Sequence, residues 1–93
     1  MSEKLTDVLI ELLPNDKANA VNQSWLSERM HVSKRTVRQV VQQARYDSYP
    51  ICSTPYDGYW QSSKPEDIRE TVLILRSQAD TINKTIYKME ELL

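Results

Sequence analysis

The sequence predicts a mainly α-helical chain with one small β-hairpin, and three observations support this prediction. Apolar residues recur at helical spacing through the first half, two short β-prone runs follow around the single glycine, and a long uninterrupted helical pattern ends the sequence. The chain has 93 residues, which suits one small domain with an appended segment. We therefore expect a compact domain over residues 1–62 and a long helix within residues 63–93.

The first half of the chain contains three amphipathic helical patterns. The first runs from about residue 3 to residue 13 and ends at Pro14. In the second, Leu26 and Met30 lie four residues apart on one face, and the third has an inward stripe formed by Val37, Val40, Val41 and Ala44. The last two patterns are joined by a tight turn, which is typical of a helix-turn-helix.

Local signals place the ends of these two helices. Ser24 and Ser27 are equally good candidates for the cap of the first, and Ser33 is the expected cap of the second. His31 falls in the turn, where a left-handed backbone is often needed and histidine is more tolerant of it than most residues. Because the chain has one histidine, we interpret His31 as structural rather than as a pH sensor or ligand.

The second helix of the motif leaves its cations on the outside when its valines pack inward. The net charge of −1 does not indicate a nucleic-acid-binding protein. Its distribution does, because residues 33–47 hold four cations and one anion, whereas residues 65–93 hold four cations and six anions. We expect Arg to read guanine, Gln to read adenine, and Lys34, Ser33 and Arg45 to contact phosphates.

Two β-prone runs, residues 49–53 and 59–63, indicate a β-hairpin around a turn that contains Pro55, Asp57 and Gly58. Gly58 is expected to supply a positive φ. Ile51 and Tyr59 are expected to pack inward, and Trp60 is interpreted as a core residue. Tyr56 lies at the tip and is a candidate for contact with DNA or protein. The complete set of residues expected to contact DNA is Ser33, Lys34, Arg35, Thr36, Arg38, Gln39, Gln42, Arg45 and Tyr56.

The last segment begins with a predicted capping box, Ser63 to Glu66, with proline in the first turn. Beyond it, apolar residues alternate in steps of four and three, which is an unbroken heptad seam of Ile68, Val72, Leu75, Ala79, Ile82, Ile86, Met89 and Leu93. A helix packed only on its own domain is the simpler alternative. We prefer a dimerisation helix, because the seam continues to the last residue. The spacing does not determine how many such helices associate or whether they run parallel or antiparallel.

Other classes of function find little support. The single cysteine, Cys52, has no metal-ligand spacing around it and is interpreted as a small, half-buried strand residue. The chain has no second histidine, no glycine-rich phosphate loop and no evident nucleophile-base pair, so we expect no enzyme, cofactor or metal. No apolar run approaches the roughly 20 residues of a membrane span, and a signal peptide is not evident, which predicts a cytoplasmic protein with no membrane partner.

The order of helix, extended piece, helix-turn-helix and hairpin over residues 3–62 resembles the winged helix domain. The residues that carry the resemblance are Leu26-x3-Met30-x-Val32-Ser33-x2-Thr36-Val37-x2-Val40, then Tyr49-Pro50-Ile51 and Gly58-Tyr59-Trp60. The Gly-Tyr pair is similar to the one that closes the wing in biotin-repressor-type domains. With its C-terminal helix, the chain is similar to small winged helix proteins of bacteriophages and mobile elements. It departs from the family pattern at His31 and Ser48, where glycine is common. Its wing tip, residues 54–58 between the two strands of the hairpin, lacks Lys and Arg.

Two hypotheses of function follow. The first is a sequence-selective, double-stranded DNA-binding protein that acts as a homodimer in transcription regulation or replication-origin recognition, on palindromic half-sites about 10 base pairs apart or a multiple of that. The second is a protein-interaction module that does not bind DNA and acts as an adapter or as an inhibitor of a host or defence protein. The cations of the second helix favour DNA, whereas the near-zero net charge and the uncharged wing tip favour a protein partner.

Overall fold

The computed structural model describes residues 2–93, with side chains from Leu5 onward. In chain order the elements are α1 (Ser2–Leu12), a 3-10 turn (Lys17–Asn19), α2 (Gln23–Met30), α3 (Lys34–Tyr46), β1 (Ile51–Thr54), β2 (Gly58–Gln61) and α4 (Pro65–Glu90). The predicted fold class is confirmed: three helices and a small antiparallel hairpin are followed by one long helix. No helix within the described residues is long and apolar enough to cross a membrane.

The first three helices enclose the main core. Each contributes the apolar stripe that its sequence period predicts, and the fully buried members include Leu9, Leu26, Val37 and Ala44. Of the two ends of α2, one agrees with the prediction and the other does not. His31 ends α2 in the left-handed conformation, with φ 57°, as expected. The cap of α2, however, is Asn22, whose Oδ1 accepts a hydrogen bond from the Trp25 amide at 2.8 Å, so the prediction of Ser24 or Ser27 is wrong.

The hairpin buries residues on both of its faces. Its register pairs Cys52 with Trp60 and Ser53 with Tyr59. Tyr59 and Ile51 face the helical core, as predicted, while Cys52 and Trp60 alternate to the opposite face and are also fully buried. Trp60 is therefore a core residue as predicted. Cys52 is buried more completely than the expected half, since the hairpin is covered on both sides.

Gly58 begins β2 with a φ of 98°, which confirms the predicted positive φ. The following residue, Tyr59, exchanges two backbone hydrogen bonds with Val21, at 3.0 and 2.7 Å. This bridge confirms that the chain is extended at Val21, just before α2. It also brings the Val21 carbonyl so close to Gly58 that a Cβ there would overlap it.

Helix α4 covers the outer face of the hairpin with its first three turns. The Trp60 indole donates to Asp67, the Ser53 amide donates to the Thr71 hydroxyl at 3.2 Å, and Lys17 pairs with Glu70 at 2.9 Å. Pro65 is the first residue of the helix, as the predicted proline in the first turn requires. The predicted capping box is wrong, because Lys64 occupies the cap position and makes no side-chain capping bond.

Candidate nucleic-acid interface

The orientation of α3 is set by its buried stripe and by the turn that precedes it. Val37, Val40, Val41 and Ala44 are all buried against α1 and α2. Ser33 caps the helix as predicted, since its Oγ accepts a hydrogen bond from the Thr36 amide at 3.1 Å. In the turn, the Ser27 hydroxyl donates to the Val32 carbonyl, which ties α2 to the start of α3. The two helices are therefore held at a defined angle, and the opposite face of α3 points to solvent.

That outer face carries the five long polar side chains that the sequence assigns to DNA. All five are exposed: Lys34, Arg35, Arg38, Gln39 and Gln42. Within the part of the chain whose side chains are described, no carboxylate forms an ion pair with the three cations of this set. The face therefore has uncompensated positive charge with amide groups between the cations, which is the chemistry that phosphates and base edges require.

Two further residues of the predicted set have local bonds. The Ser33 hydroxyl caps the helix and also lies 3.0 Å from the Thr36 hydroxyl, which is itself partly buried. Both side chains therefore fix the N-terminus of α3. A phosphate there would meet the cationic side chains of Lys34 and Arg35 beside that terminus, where the helix dipole also favours an anion.

Arg45 differs from the other cations because it is partly buried beneath the hairpin. Its Nε donates to the Ile51 carbonyl at 2.9 Å and its Nη2 donates to the Ser53 hydroxyl at 3.1 Å. Burial lowers the pKa of this guanidinium from its ordinary value. The structure thus assigns Arg45 a role in joining α3 to β1, and only its remaining N–H groups are available to a phosphate.

Tyr46 is a residue of this surface that the sequence prediction missed. It is exposed, and its hydroxyl accepts a hydrogen bond from Gln42 Nε2 at 2.9 Å. The four-residue spacing between Gln42 and Tyr46 placed them on one helical face and could have indicated this pair. As long as the bond is made, it holds the Gln42 amide in one orientation.

The wing tip carries one of the predicted contacts, Tyr56, whose side chain is 97% exposed. The turn beneath it is closed by Thr54 and Asp57: the Asp57 amide donates to the Thr54 hydroxyl at 2.8 Å, and that hydroxyl donates to the Asp57 carboxylate at 2.6 Å. Lys17 lies 3.8 Å from the same carboxylate. The tip is therefore closed by its own hydrogen bonds, presents an aromatic side chain and has no free cation of its own.

The predicted dimerisation seam of α4 is exposed along its whole length. Within the described chain, the only buried residue of this helix is Thr71, and the residues that share its side are Asp67, Glu70 and Ile74. All eight seam residues lie outside that side and are exposed. Seven of them, from Ile68 at 39% to Met89 at 60%, lie on the helix, whereas the predicted seam extends beyond its end at Glu90 to Leu93. Helix α4 therefore uses one face for its own domain and leaves a second apolar face uncovered.

A groove of about 630 Å³ separates the two surfaces. Its walls are formed on one side by Arg38, Gln42 and Tyr46 of α3, and on the other by Ile74, Leu75 and Gln78 of α4. The candidate DNA surface and the apolar seam are thus neighbours, and whatever covers the seam near Leu75 lies beside the basic face of α3.

Comparison with known proteins agrees with this architecture. A family model described as an HTH domain matches residues 5–60, which is more than half of the chain and extends from α1 to β2. No curated protein and no solved structure matched the chain. The matched segment contains the capped helix pair, the buried valine stripe and the hairpin, in the order of a winged helix-turn-helix. The chain therefore belongs to the HTH domain family and is a DNA-binding helix-turn-helix protein of the winged form, followed by a long C-terminal helix.

Proposed function

We propose that the protein binds double-stranded DNA sequence-selectively as a homodimer, and that it acts in transcription regulation or replication-origin recognition. The observation that carries the proposal is the outer face of α3, which is exposed and cationic and has no ion-pair partner within the described residues. The resemblance to small winged helix proteins of bacteriophages and mobile elements favours an early regulatory role.

The side chains of this face divide by the contacts they suit. Arg35 and Arg38 carry planar guanidinium groups that match guanine in the major groove, and Gln39 and Gln42 match adenine. Lys34, at the first position of α3, suits a phosphate contact. Ser33, Thr36 and Arg45 would then support the helix and contribute phosphate contacts from its two ends.

Dimerisation is proposed through the exposed seam of α4. Residues 63–93 would form the dimerisation segment and residues 1–62 the winged domain, although the first turns of α4 also pack on the hairpin. A two-fold dimer reads two half-sites about 10 base pairs apart or a multiple of that. The expected target is therefore a palindrome.

The first experiment measures affinity for mixed-sequence duplex DNA over a salt series. Three or four α3 cations per subunit predict a log-log slope of about −5 to −7 for a dimer. The variant Arg35→Ala/Arg38→Ala removes four cations per dimer, so its slope should be shallower by about 3.6 and its affinity at low salt at least tenfold weaker. A matched control, Lys84→Ala/Lys88→Ala, removes the same charge from exposed positions of α4 and should bind almost like the wild type.

Equal losses in both variants would show that binding follows net charge rather than the face of α3, which contradicts the proposal. Negligible binding of the wild type at low salt would contradict it as well. That second result would favour the other candidate function, a protein-interaction module. The specific observation for that candidate is the wing tip, where Tyr56 is fully exposed and Lys and Arg are absent.

A further inference from the structure

We propose that two copies of α4 pair in antiparallel orientation, in the register that places Ala79 opposite Ile82 of the partner subunit. This inference rests on the proposed homodimer and adds the direction and register of its helices. It begins from the seven seam residues that lie on the helix, from Ile68 to Met89, which are exposed in the monomer and extend along almost its entire length. A second copy of the chain has the same seam. Whether the two helices run parallel or antiparallel decides which seam residues meet.

Side-chain size is the first argument. In a parallel, in-register pair each seam residue faces its own copy, so Ala79 meets Ala79 and leaves a poorly filled layer at the centre. The antiparallel register opposes residues whose numbers add up to 161. It therefore pairs the small Ala79 with the larger Ile82, and it also pairs Leu75 with Ile86 and Val72 with Met89. Ile68 comes opposite the segment that contains Leu93, which follows the end of the helix at Glu90. Every seam residue from Val72 to Met89 then has a partner on the other helix, and no layer is made of two small side chains.

The heptad positions agree with this direction. The steps of three and four residues place Ile68, Leu75, Ile82 and Met89 at d, and Val72, Ala79, Ile86 and Leu93 at a. Parallel two-stranded coiled coils favour Leu at d, whereas two of the four d residues here, Ile68 and Ile82, are β-branched. The sequence therefore lacks the core pattern of a parallel dimer.

Charge at the flanks is the second, independent argument. The e positions are Arg69, Arg76, Asn83 and Glu90, all exposed and without an ion-pair partner among the described residues. In an antiparallel pair, e positions lie beside e positions of the other helix, so Arg69 meets Glu90 of the partner subunit. Two-fold symmetry forms that ion pair twice. In a parallel pair the e positions meet Thr71, Gln78 and Thr85, and no opposite charges are brought together.

The domain already packed on α4 leaves room for this arrangement. The residues that face the hairpin, Asp67, Glu70, Thr71 and Ile74, lie about 100° around the helix from the seam, at 3.6 residues per turn. A partner helix can therefore cover the seam without displacing the hairpin. The antiparallel register separates the hairpin-facing segments of the two subunits by about 30 Å along the helix axis, at 1.5 Å per residue. This is close to the roughly 34 Å between adjacent half-sites on DNA.

The test uses cysteine crosslinking of the full-length chain in a thiol-disulfide buffer. Cys52 is buried, and burial raises the pKa of its thiol, so the wild type serves as the control with little background reaction. We expect Arg69→Cys, when mixed with a tagged Glu90→Cys variant, to form a disulfide-linked heterodimer. Neither variant should link to itself, because the identical positions lie about 30 Å apart. Val72→Cys should also fail to link to itself.

Self-linkage of Val72→Cys would overturn the antiparallel direction, and so would the absence of the Arg69→Cys/Glu90→Cys product from a chain that is dimeric. Light scattering on the wild type tests whether a dimer forms, independently of the direction in which its helices run. A mass near the monomer value of 10.9 kDa at all concentrations would reject the dimer itself, and the orientation with it. A dimer mass with Val72→Cys self-linkage would reject the orientation alone. Neither result bears on the α3 surface, whose salt series is measured separately.

A charge-reversal pair is a second test of the contact between Arg69 and Glu90 of the partner subunit. Arg69→Glu should raise the dimer dissociation constant about three- to tenfold, because it places like charges beside each other twice per dimer. Adding Glu90→Arg to the same chain should restore the original constant. Failure of the second substitution to restore dimerisation would overturn the proposed register, since only the antiparallel pair brings these positions together.

Discussion

The indole Nε1 of Trp60 donates a hydrogen bond to the Asp67 carboxylate over 3.2 Å, and this bond joins the hairpin to the first turn of α4. Trp60 is fully buried, so the bond also satisfies a polar group that would otherwise lie unpaired beneath the helix. Hydrogen bonds from Ser62 and from Trp60 lower the pKa of Asp67 from its ordinary value. These hydrogen bonds between the hairpin and α4 therefore favour the ionised form of Asp67.

Asp67→Asn should make the stability of the protein less sensitive to acid. Because the pKa of Asp67 is lower in the folded state, its ionisation stabilises the fold above the ordinary aspartate value of about 3.9, and this contribution is lost as the pH falls through the folded value. The wild type should therefore be more stable than the variant at pH 7, and this difference should shrink below about pH 4. Urea unfolding followed by circular dichroism at pH 7 and pH 3 measures it.

The matched control is Asp80→Asn, which removes an exposed carboxylate from the middle of α4. Its difference from the wild type should be small at both pH values. A gap for Asp67→Asn that stays constant from pH 7 to pH 3 would contradict the argument, because the stabilisation would then not depend on ionisation.

Gly58→Ala should destabilise the protein by about 2–4 kcal/mol, through two effects at one position. The residue has a φ of 98°, which strains any side chain, and its added Cβ would overlap the Val21 carbonyl oxygen. The bridge between Val21 and Tyr59 must then open. Urea unfolding measures the loss, and Pro55→Ala, at the exposed wing tip, should change stability by less than about 0.5 kcal/mol. A comparable stability for both variants would show that the close approach is not required.

The elements of this fold were predictable because their signals are local. The period of the apolar residues defines α1 to α4, and the left-handed conformation of His31 and the positive φ of Gly58 follow from residue type and position. The cap of α2 was not predictable in the same way. Asn22, Ser24 and Ser27 are all good caps, and the structure begins the helix directly after Val21, whose bridge to Tyr59 is a tertiary contact.

The start of α4 was missed for the same reason. The pattern from Ser63 to Glu66 matches a capping box with Ser63 as the cap. In the structure the cap lies one residue later, at Lys64. The first turn is instead held from the side, by the bond of Trp60 to Asp67 and by Ser62, whose Oγ accepts from the Lys64 amide at 3.1 Å. A short sequence motif does not contain these partners.

Within the candidate site, the exposed face of α3 could be predicted, whereas the position of Arg45 could not. Periodicity shows which side of a helix is polar, but it does not show that β1 lies over the C-terminal turn of α3. The bonds from Arg45 to the Ile51 carbonyl and the Ser53 hydroxyl exist only in the folded hairpin. If Arg45 only contacted a phosphate, its substitution would weaken DNA binding alone. The two hydrogen bonds to β1 predict that the substitution also lowers the stability of the fold.

Arg45→Ala should lower the free energy of unfolding by about 1.5–3 kcal/mol, since it removes two charge-assisted hydrogen bonds and leaves the Ile51 carbonyl partly buried without its partner. Arg38→Ala is the matched control, because it removes the same side chain from an exposed position of the same helix and should cost less than about 0.5 kcal/mol. Thermal unfolding without DNA measures both. Equal stability of the two variants would mean that Arg45 serves only as a surface cation.

Ser48→Gly should stabilise the protein by about 0.5–1 kcal/mol, because Ser48 has a φ of 71° and glycine adopts this conformation without steric cost. The gain is smaller than the full cost of a left-handed residue, since glycine also loses more conformational freedom on folding. His31→Gly should shift stability in the same direction, whereas His31→Val, with a β-branched side chain at a φ of 57°, should lower it by about 1–2 kcal/mol. Both positions are exposed, so packing does not mask the backbone effect. If both glycine variants proved less stable than the wild type in urea unfolding, the cost of these two conformations would have to be offset by side-chain interactions of His31 and Ser48.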